Sequence, residues 1–432
     1  MVLKRKIAND LLKWKNKEDK MPLVVKGARQ IGKTFSIDDF CQKNYANYLY
    51  INFEKDITSK AAFDGNLDVD TIISYLSTLY TNVNLIPYNT IIFLDEIQSC
   101  PNARTSLKFF AQDKRYDIIA SGSLLGLNTN QVSSFPVGYN EQLTMYSLDF
   151  EEFCWANGQT EENIINLKKF FDTKKEIPSV IHNKFMELFK QYIIVGGMPM
   201  IVNNFISNHD FSMIYDLQKR IINDYLDDIA KYAEMAEKKK ARECFLSIPF
   251  HLAQDYKKFK YSNFDKTGSS RKYGGSLMWL YDAGIINYCY KIKNFTSPLN
   301  ANVSENDFKI YMVDIGLLMA MYEKGMSNEI LNGNLGICKG AIYENVIADI
   351  LTKKGLSLYY FENNSTLEID FVIWFNNEIT PVEVKSGDNT KSKSLKTVIN
   401  NWGPKQGIRL SSKNIGYKDN VYCFPLYMSM FL

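Results

Sequence analysis

Only three histidines occur in the 432 residues, His182, His209 and His251, and they are widely spaced. Cysteine is little better represented. Cys41, Cys100, Cys154, Cys244, Cys289, Cys338 and Cys423 are scattered, and none forms a C-x-x-C pair. Without clustered ligands, neither a zinc site nor a disulfide framework is expected. Long apolar runs are missing too: stretches such as Ile91–Leu94 fall far short of the roughly 18 residues a membrane span needs. The opening Met1-Val2-Leu3-Lys4-Arg5-Lys6 puts charge where a secretion signal would have its apolar core. One-sided charge is also absent. Fifty-one Lys and Arg against 48 Asp and Glu leave a formal charge of +3, so no global field draws the chain to nucleic acid or membrane. Any nucleic-acid contact must come from a local patch. A cytoplasmic protein is expected.

What is present is ordinary globular material, 46% hydrophobic and 23% charged, in a chain long enough for two or three cores. Residues 5–17 read as an amphipathic helix. Strands are expected at 22–26, 47–53, 90–95, 116–121 and 143–147, with helices near 33–43, 68–80 and 104–113. That alternation implies an α/β fold with a parallel sheet covered on both faces. From 150 to 255 the pattern is helical, broken at Gly196-Gly197-Met198-Pro199, a candidate hinge. Residues 260–292 read as two helices and a hairpin. Beyond Gly333-Asn334-Leu335-Gly336 come a helix at 340–353 and a β-rich segment to about 385. Three domains follow: 1–195, 196–330 and 331–432.

Gly27-Ala28-Arg29-Gln30-Ile31-Gly32-Lys33-Thr34 is a full G-x-x-x-x-G-K-T string between an expected strand and an expected helix. The glycines let backbone N–H groups wrap phosphates, Lys33 reaches the β/γ oxygens, and Thr34 ligates Mg²⁺. The helix beginning near Lys33 adds its positive N-terminal end. About sixty residues on, the apolar strand Ile91-Ile92-Phe93-Leu94 ends in Asp95-Glu96. Asp95 would hold the metal with Thr34, and Glu96 would orient and activate the attacking water. The strand Tyr116–Ala120 ends in Ser121-Gly122-Ser123, where either hydroxyl could sense a γ-phosphate or the three could form a plain turn. An ATP-binding and ATP-hydrolysing protein dependent on Mg²⁺ is expected from these residues.

The same motifs, with Leu148-Asp149-Phe150-Glu151-Glu152-Phe153 and Gly196–Pro199, resemble the prokaryotic AAA-type ATPases often called archaeal-type ATPases. Those carry a C-terminal DUF4143-like domain. The resemblance covers nearly the whole chain. It implies an AAA-like P-loop NTPase domain, a helical and winged-helix module, and an α/β domain of the PD-(D/E)xK nuclease-like kind. Many members have a basic residue where this chain has Gly138-Tyr139. A transition-state arginine is left to Arg104, Arg115 or a partner subunit, in a homo-oligomer or another complex.

In the middle module Ser269–Tyr281 reads as the second helix of a helix-turn-helix, with Ile285–Tyr290 as the first strand of a wing. Arg271 and Lys272 would meet DNA phosphates there, or the module serves only for packing. Lys238-Lys239-Lys240-Ala241-Arg242, after Glu234 and Glu237, reads as a solvated, ion-paired face.

Near the C-terminus Leu367–Ile373 and Pro381–Lys385 alternate with period two around Asn376-Asn377, a hairpin signature. Centring the turn there places Asp370 opposite Glu383 and Glu368 opposite Lys385. Two carboxylates in opposition repel, and a divalent cation would remove the conflict. The arrangement resembles the PD-(D/E)xK core. That resemblance implies catalytic roles for Glu344, Asp370, Glu383 and Lys385, with Asp370 and Glu383 as ligands to Mg²⁺ or Mn²⁺. The function expected is ATP-driven DNA processing with phosphodiester cleavage. Its rival is a signalling or scaffold switch whose nuclease-like domain binds without cutting.

Overall fold

The computed structural model describes residues 2–124, 138–232, 235–254, 257–333, 339–363, 367–385 and 392–432. Glu234, Cys338 and Asn334-Leu335-Gly336 lie outside the described residues. The chain divides into two compact units. One is Lys4–Ser147 with Asp282–Gly284; the other is Met1–Leu3, Leu148–Tyr281 and Ile285–Leu432.

The first unit is the expected parallel sheet. Its strands are β1 (Leu23–Gly27), β2 (Asn47–Asn52), β3 (Thr90–Asp95), β4 (Asp117–Ser123) and β5 (Glu141–Thr144), ordered β2-β3-β4-β1-β5. Every pairing is parallel. All six residues of β3 are buried, as a strand covered on both faces requires. The helices are α1 (Ile7–Lys15), α2 (Lys33–Asn44), α3 (Val69–Leu79) and α4 (Pro101–Asp113). In α3 the Asp68 side chain caps the Thr71 N–H, and Val69, Ile72 and Leu76 form the buried stripe. They pack with Leu49, Ile51, Phe63, Ile92 and Leu94 into one core. Because β4 lies between β1 and β3, the carboxyl ends of these strands bring Gly27, Asp95, Ser121 and Ser123 to one edge of the sheet. In open α/β sheets that edge is where ligands bind.

The second unit opens with helices, Phe150–Ala156 through Met235–Leu252, and Asp149 closes a capping box with Glu152 at the first. Its sheet has eight strands: β6 (Ile286–Ile292), β7 (Val303–Met312), β8 (Leu358–Asn363), β9 (Leu367–Phe375), β10 (Glu378–Val384), β11 (Gly407–Ser411), β12 (Gly416–Lys418) and β13 (Val421–Pro425). The order is β12-β13-β11-β10-β9-β8-β6-β7.

Three sequence expectations change here. The strand read as the first of a wing forms, as β6, but its antiparallel partner β7 lies beyond the 260–292 expected for the hairpin, and β6 also pairs in parallel with β8. It is an internal strand of the large sheet, because Ile286, Cys289 and Ile292 are all buried. One sheet spans the expected boundary at 330, and the first compact unit ends at Ser147. Gly196–Pro199 is a packed crossing, not an open hinge. Leu148 N–H donates to Gly197 O at 2.7 Å, and Gly197 N–H to Asp314 Oδ2 at 2.9 Å. A Cβ on Gly197 would lie 2.0 Å from Leu148 O.

The Asn376-Asn377 turn is as read. Both residues have positive φ, 49° and 61°, the conformation of a tight type I′ hairpin. The ladder runs from Phe375↔Glu378 to Phe371↔Val382. It stops one pair before Asp370 and Glu383, and on its other side β9 shifts register against β8 between its Ile369 and Val372 pairs.

Candidate functional site

β1 delivers the chain into the phosphate loop at Gly27, where only glycine fits: a Cβ would meet Met145 O at 2.3 Å and Ile31 Cδ1 at 2.5 Å. Gly32, at φ 86°, turns the loop into α2, and Lys33 and Thr34 are the first helical residues. The loop therefore closes against the N-terminus of a 12-residue helix, an anion-binding arrangement. Lys33 is buried, and its Nζ donates to Gly27 O at 3.0 Å and Ala28 O at 2.7 Å. Burial lowers its pKa to about 8, against the opposing pull of Glu96 and Asp95. Its ammonium is thus folded onto the carbonyls of its own loop, within reach of any anion the loop would hold.

Asp95, at the end of β3, gathers four donors. Thr34 Oγ1, Tyr50 OH and Asn52 Nδ2 each reach Oδ2 at 3.0 Å, and Ser121 Oγ donates to Oδ1. Thr34 and Asp95 offer hard oxygen donors side by side, which fits Mg²⁺. Glu96 follows in left-handed backbone, φ 53°, and its carboxylate accepts from Gln98 Nε2 at 2.5 Å. Burial raises the Glu96 pKa, with the Asp95 charge adding to the effect.

The two serines now separate in position. Ser121 touches Asp95, whereas Ser123 is buried at the end of β4 opposite Gly27. Arg115 is held by Asp113 and Asp70 just before β4 begins, at the other end of the strand from Ser121. It is removed as a candidate for an arginine acting within the chain. Arg104 is buried on α4. The sequence reading missed Tyr50, Asn52 and Gln98. Asn52 was findable, since it ends a strand in register with Asp95.

The C-terminal set is arranged differently from the expectation. Glu344, on the helix Lys339–Lys353, is buried and ion-paired with Lys257 and, at 3.7 Å, with Lys309. Tyr311 OH adds a hydrogen bond at 3.2 Å. Burial opposes ionisation of Glu344, yet the two lysines outweigh it and hold its pKa below the ordinary value. Glu368, expected opposite Lys385, pairs with Lys309 instead, and Lys385 pairs with Glu383 at 2.7 Å. Asp370 Oδ2 accepts the Val384 N–H at 2.7 Å. Its surroundings, mainly by desolvation and then through Glu344, push its pKa up to about 8. Among the described residues no group of three His, Cys, Asp or Glu is placed to hold a metal ion. Lysines answer two of the three carboxylates, Lys257 and Lys309 on Glu344 and Lys385 on Glu383, while Asp370 takes a backbone N–H.

The basic run is as read: Lys240 pairs with Glu237 at 2.8 Å and Lys239 with Glu243 at 3.9 Å. Lys272 is tied to Asp265 at 2.6 Å. Among the described residues no helix is long and apolar enough to cross a membrane.

A glycine-rich loop after β1, an acid ending β3, and β4 between them define the first unit as a P-loop nucleoside triphosphatase fold. Residues 19–154 match the family model of the AAA domain, and residues 339–428 match a domain of unknown function, DUF4143. Between them, residues 186–329 match a second domain of unknown function, DUF8612. The chain thus carries an AAA domain followed by a DUF4143 domain, the two ends of the resemblance drawn from its sequence. No curated protein matches it. Among solved structures it is similar to the Walker-type ATPase PABY2304 of Pyrococcus abyssi, at 13% identity and TM-score 0.40, over 74% of this chain and 96% of that one. It is also similar to the Aeropyrum pernix ORC1 protein in complex with DNA, at 11% identity and TM-score 0.26, over 76% and 92% of the two chains. A third is the Thermotoga maritima RuvB Holliday junction branch migration motor, at 10% identity and TM-score 0.28, over 66% and 89%.

Proposed function

We propose that this protein binds and hydrolyses ATP with Mg²⁺, and that its nucleotide state governs a C-terminal unit that binds a partner without cutting it. The observation that carries the first half is the convergence of Thr34, Ser121, Tyr50 and Asn52 on Asp95 beside the phosphate loop. Backbone N–H groups from Gly27 to Thr34 cradle the phosphates, and Lys33 leaves its loop carbonyls to neutralise the β/γ oxygens. Thr34 and Asp95 would hold the magnesium, which supplies charge neutralisation between those oxygens. Glu96 orients a water and takes its proton. Ser121, through Asp95, links the occupied site to β4. Glu96→Gln should keep nucleotide affinity and lose turnover; equal turnover in that variant overturns the assignment.

Lys257 and Lys309 support a binding role for the second unit, because they place positive charge on Glu344 and Glu368, the carboxylates next to Asp370. A second reading is ATP-driven DNA processing with cleavage by Glu344, Asp370, Glu383 and Lys385. One observation favours it: Glu383 keeps a buried carboxylate oxygen without a hydrogen-bond partner beside Lys385. Cleavage of labelled DNA in Mn²⁺ that disappears in Lys385→Ala would install this reading in place of the first.

A further inference from the structure

Against β6–β9 lies a cavity of about 340 Å³. Lys257, Lys258, Lys260, Lys291 and Lys309 line it, with Tyr360, Glu362 and Glu368 completing the wall. The lysines come from three places: the segment leading to β6 and β7, then β6 itself, then β7. Five ammonium groups on one small cavity repel each other unless anions answer them. Glu344, Glu368, Glu362 and Asp307 answer four. Among the described residues Lys260 makes no ion pair, so the lysines outnumber their described carboxylate partners by one.

A second, independent feature points the same way. Tyr360 is 1% exposed, and its hydroxyl has no hydrogen-bond partner although it lies on the cavity wall. An unsatisfied buried hydroxyl costs on the order of 1–3 kcal/mol, a cost that a ligand oxygen accepting from it would recover. Lys309, also 1% exposed, sits 4.9 Å from the centre of the Tyr360 ring. The floor of the cavity is therefore a buried cation beside an idle hydroxyl, and its mouth is ringed by more accessible lysines.

We infer that this cavity binds the phosphate group of a small phosphorylated ligand without a metal ion, through Lys260, Lys291, Lys309 and the Tyr360 hydroxyl. Compact ammonium groups act as point charges on phosphate oxygens. The volume is at the lower end for small-molecule sites, suiting a ligand no larger than a nucleotide. Lys257 and Lys309 are engaged by Glu344 and Glu368, and Lys291 is held by Glu362 at 3.4 Å, long enough for a phosphate oxygen to compete for it, while Lys260 has no ion pair among the described residues. The inference rests on the binding reading of the second unit and not on ATP hydrolysis in the first.

The test uses the full chain carrying Lys33→Ala, which silences the phosphate loop, and inorganic pyrophosphate as probe in excess EDTA. Calorimetric titration should show binding that weakens as salt is raised. Adding Lys260→Gln and Lys291→Gln together should weaken it at least tenfold. Tyr360→Phe should weaken it several-fold while leaving the unliganded fold as stable or more so, which separates loss of a ligand contact from loss of fold. With Lys33 intact, ATP turnover should be the same with and without these substitutions. Absence of binding in EDTA, binding that appears only when Mn²⁺ is supplied, or unchanged affinity in Tyr360→Phe and in the lysine pair would each overturn the inference. Wild-type ATP turnover measured alongside shows whether the ATPase assignment stands or falls separately.

Discussion

Thr34 and Asp95, 61 residues apart in the chain, meet at 3.0 Å through a hydroxyl donating to a carboxylate. One is the second residue of α2 and the other the last of β3, so the contact exists only when helix and sheet are assembled. The nucleotide site is thereby tied to correct folding of the first unit. A donor already on Asp95 also holds that carboxylate in place before any ligand arrives.

Lys33→Ala should remove most ATP affinity, because the compact charge on the β/γ oxygens has no substitute in the loop. Glu96→Gln should lower kcat by ~10²–10⁴ with affinity kept, the usual range for losing a general base. Nucleotide binding by fluorescence titration and single-turnover hydrolysis distinguish the two roles. A Lys33→Ala protein that binds ATP normally would contradict the first.

Ser121 and Ser123 were inseparable in the sequence and differ in the structure. Ser121→Ala removes a hydrogen bond to Asp95, so hydrolysis should slow with little change in ATP affinity. Ser123→Ala should have the smaller effect on kcat. The opposite ranking in steady-state kinetics would move the sensor role two residues along β4.

The phosphate loop, the acid pair and five strands were legible because each rests on local pattern: a fixed glycine spacing, and an apolar run ending in charge. The hairpin was legible for the same reason, Asn376-Asn377 demanding a tight turn. What stayed hidden depends on contacts distant in sequence. Nothing near Ile286 announces that β6 will pair with β8 across some seventy residues. Nothing near Glu344 announces Lys257, since ion pairs carry no periodicity. Nor does anything near Glu368 announce Lys309, the partner it takes instead of Lys385, which pairs with Glu383.

Gly197→Ala should destabilise the second unit. Its Cβ would sit 2.0 Å from Leu148 O, and that atom is backbone, which cannot step aside cheaply. Overpacking of this kind typically costs about 1–3 kcal/mol. Gly275→Ala is the control: it lies in the helix Ser270–Asp282, and its nearest neighbour would be Glu237 Oε2 at 3.8 Å. There the helix gains about 0.5–1 kcal/mol from the better helix former. Urea denaturation should move the two midpoints in opposite directions; a neutral Gly197→Ala would show that the crossing is loose.

Asp349 sets a pH dependence in the second unit. It is 1% exposed, and only one of its oxygens is used, by Lys353 Nζ at 2.9 Å and Tyr192 OH at 3.2 Å; the other has no partner. Burial pushes its pKa up to about 7, with Asp314 adding repulsion and Lys353 opposing both. In the unfolded chain the same group titrates near 3.9. Between those two values the folded protein holds a proton that the unfolded chain has lost, so stability falls as pH rises from about 4 to 7 and is flat above. From pH 5 to 8 the loss from this group is on the order of 2–3 kcal/mol. Asp349→Asn should remove that part of the slope, since the amide keeps an acceptor for Lys353 and cannot titrate. Lys353 also retains Leu148 O at 3.1 Å and the Tyr192 hydroxyl at 3.0 Å. Urea midpoints of the wild type should therefore drop between pH 5 and pH 8 by more than those of the variant. Parallel curves for the two proteins would mean that Asp349 is ionised throughout, with Lys353 compensating its burial in full.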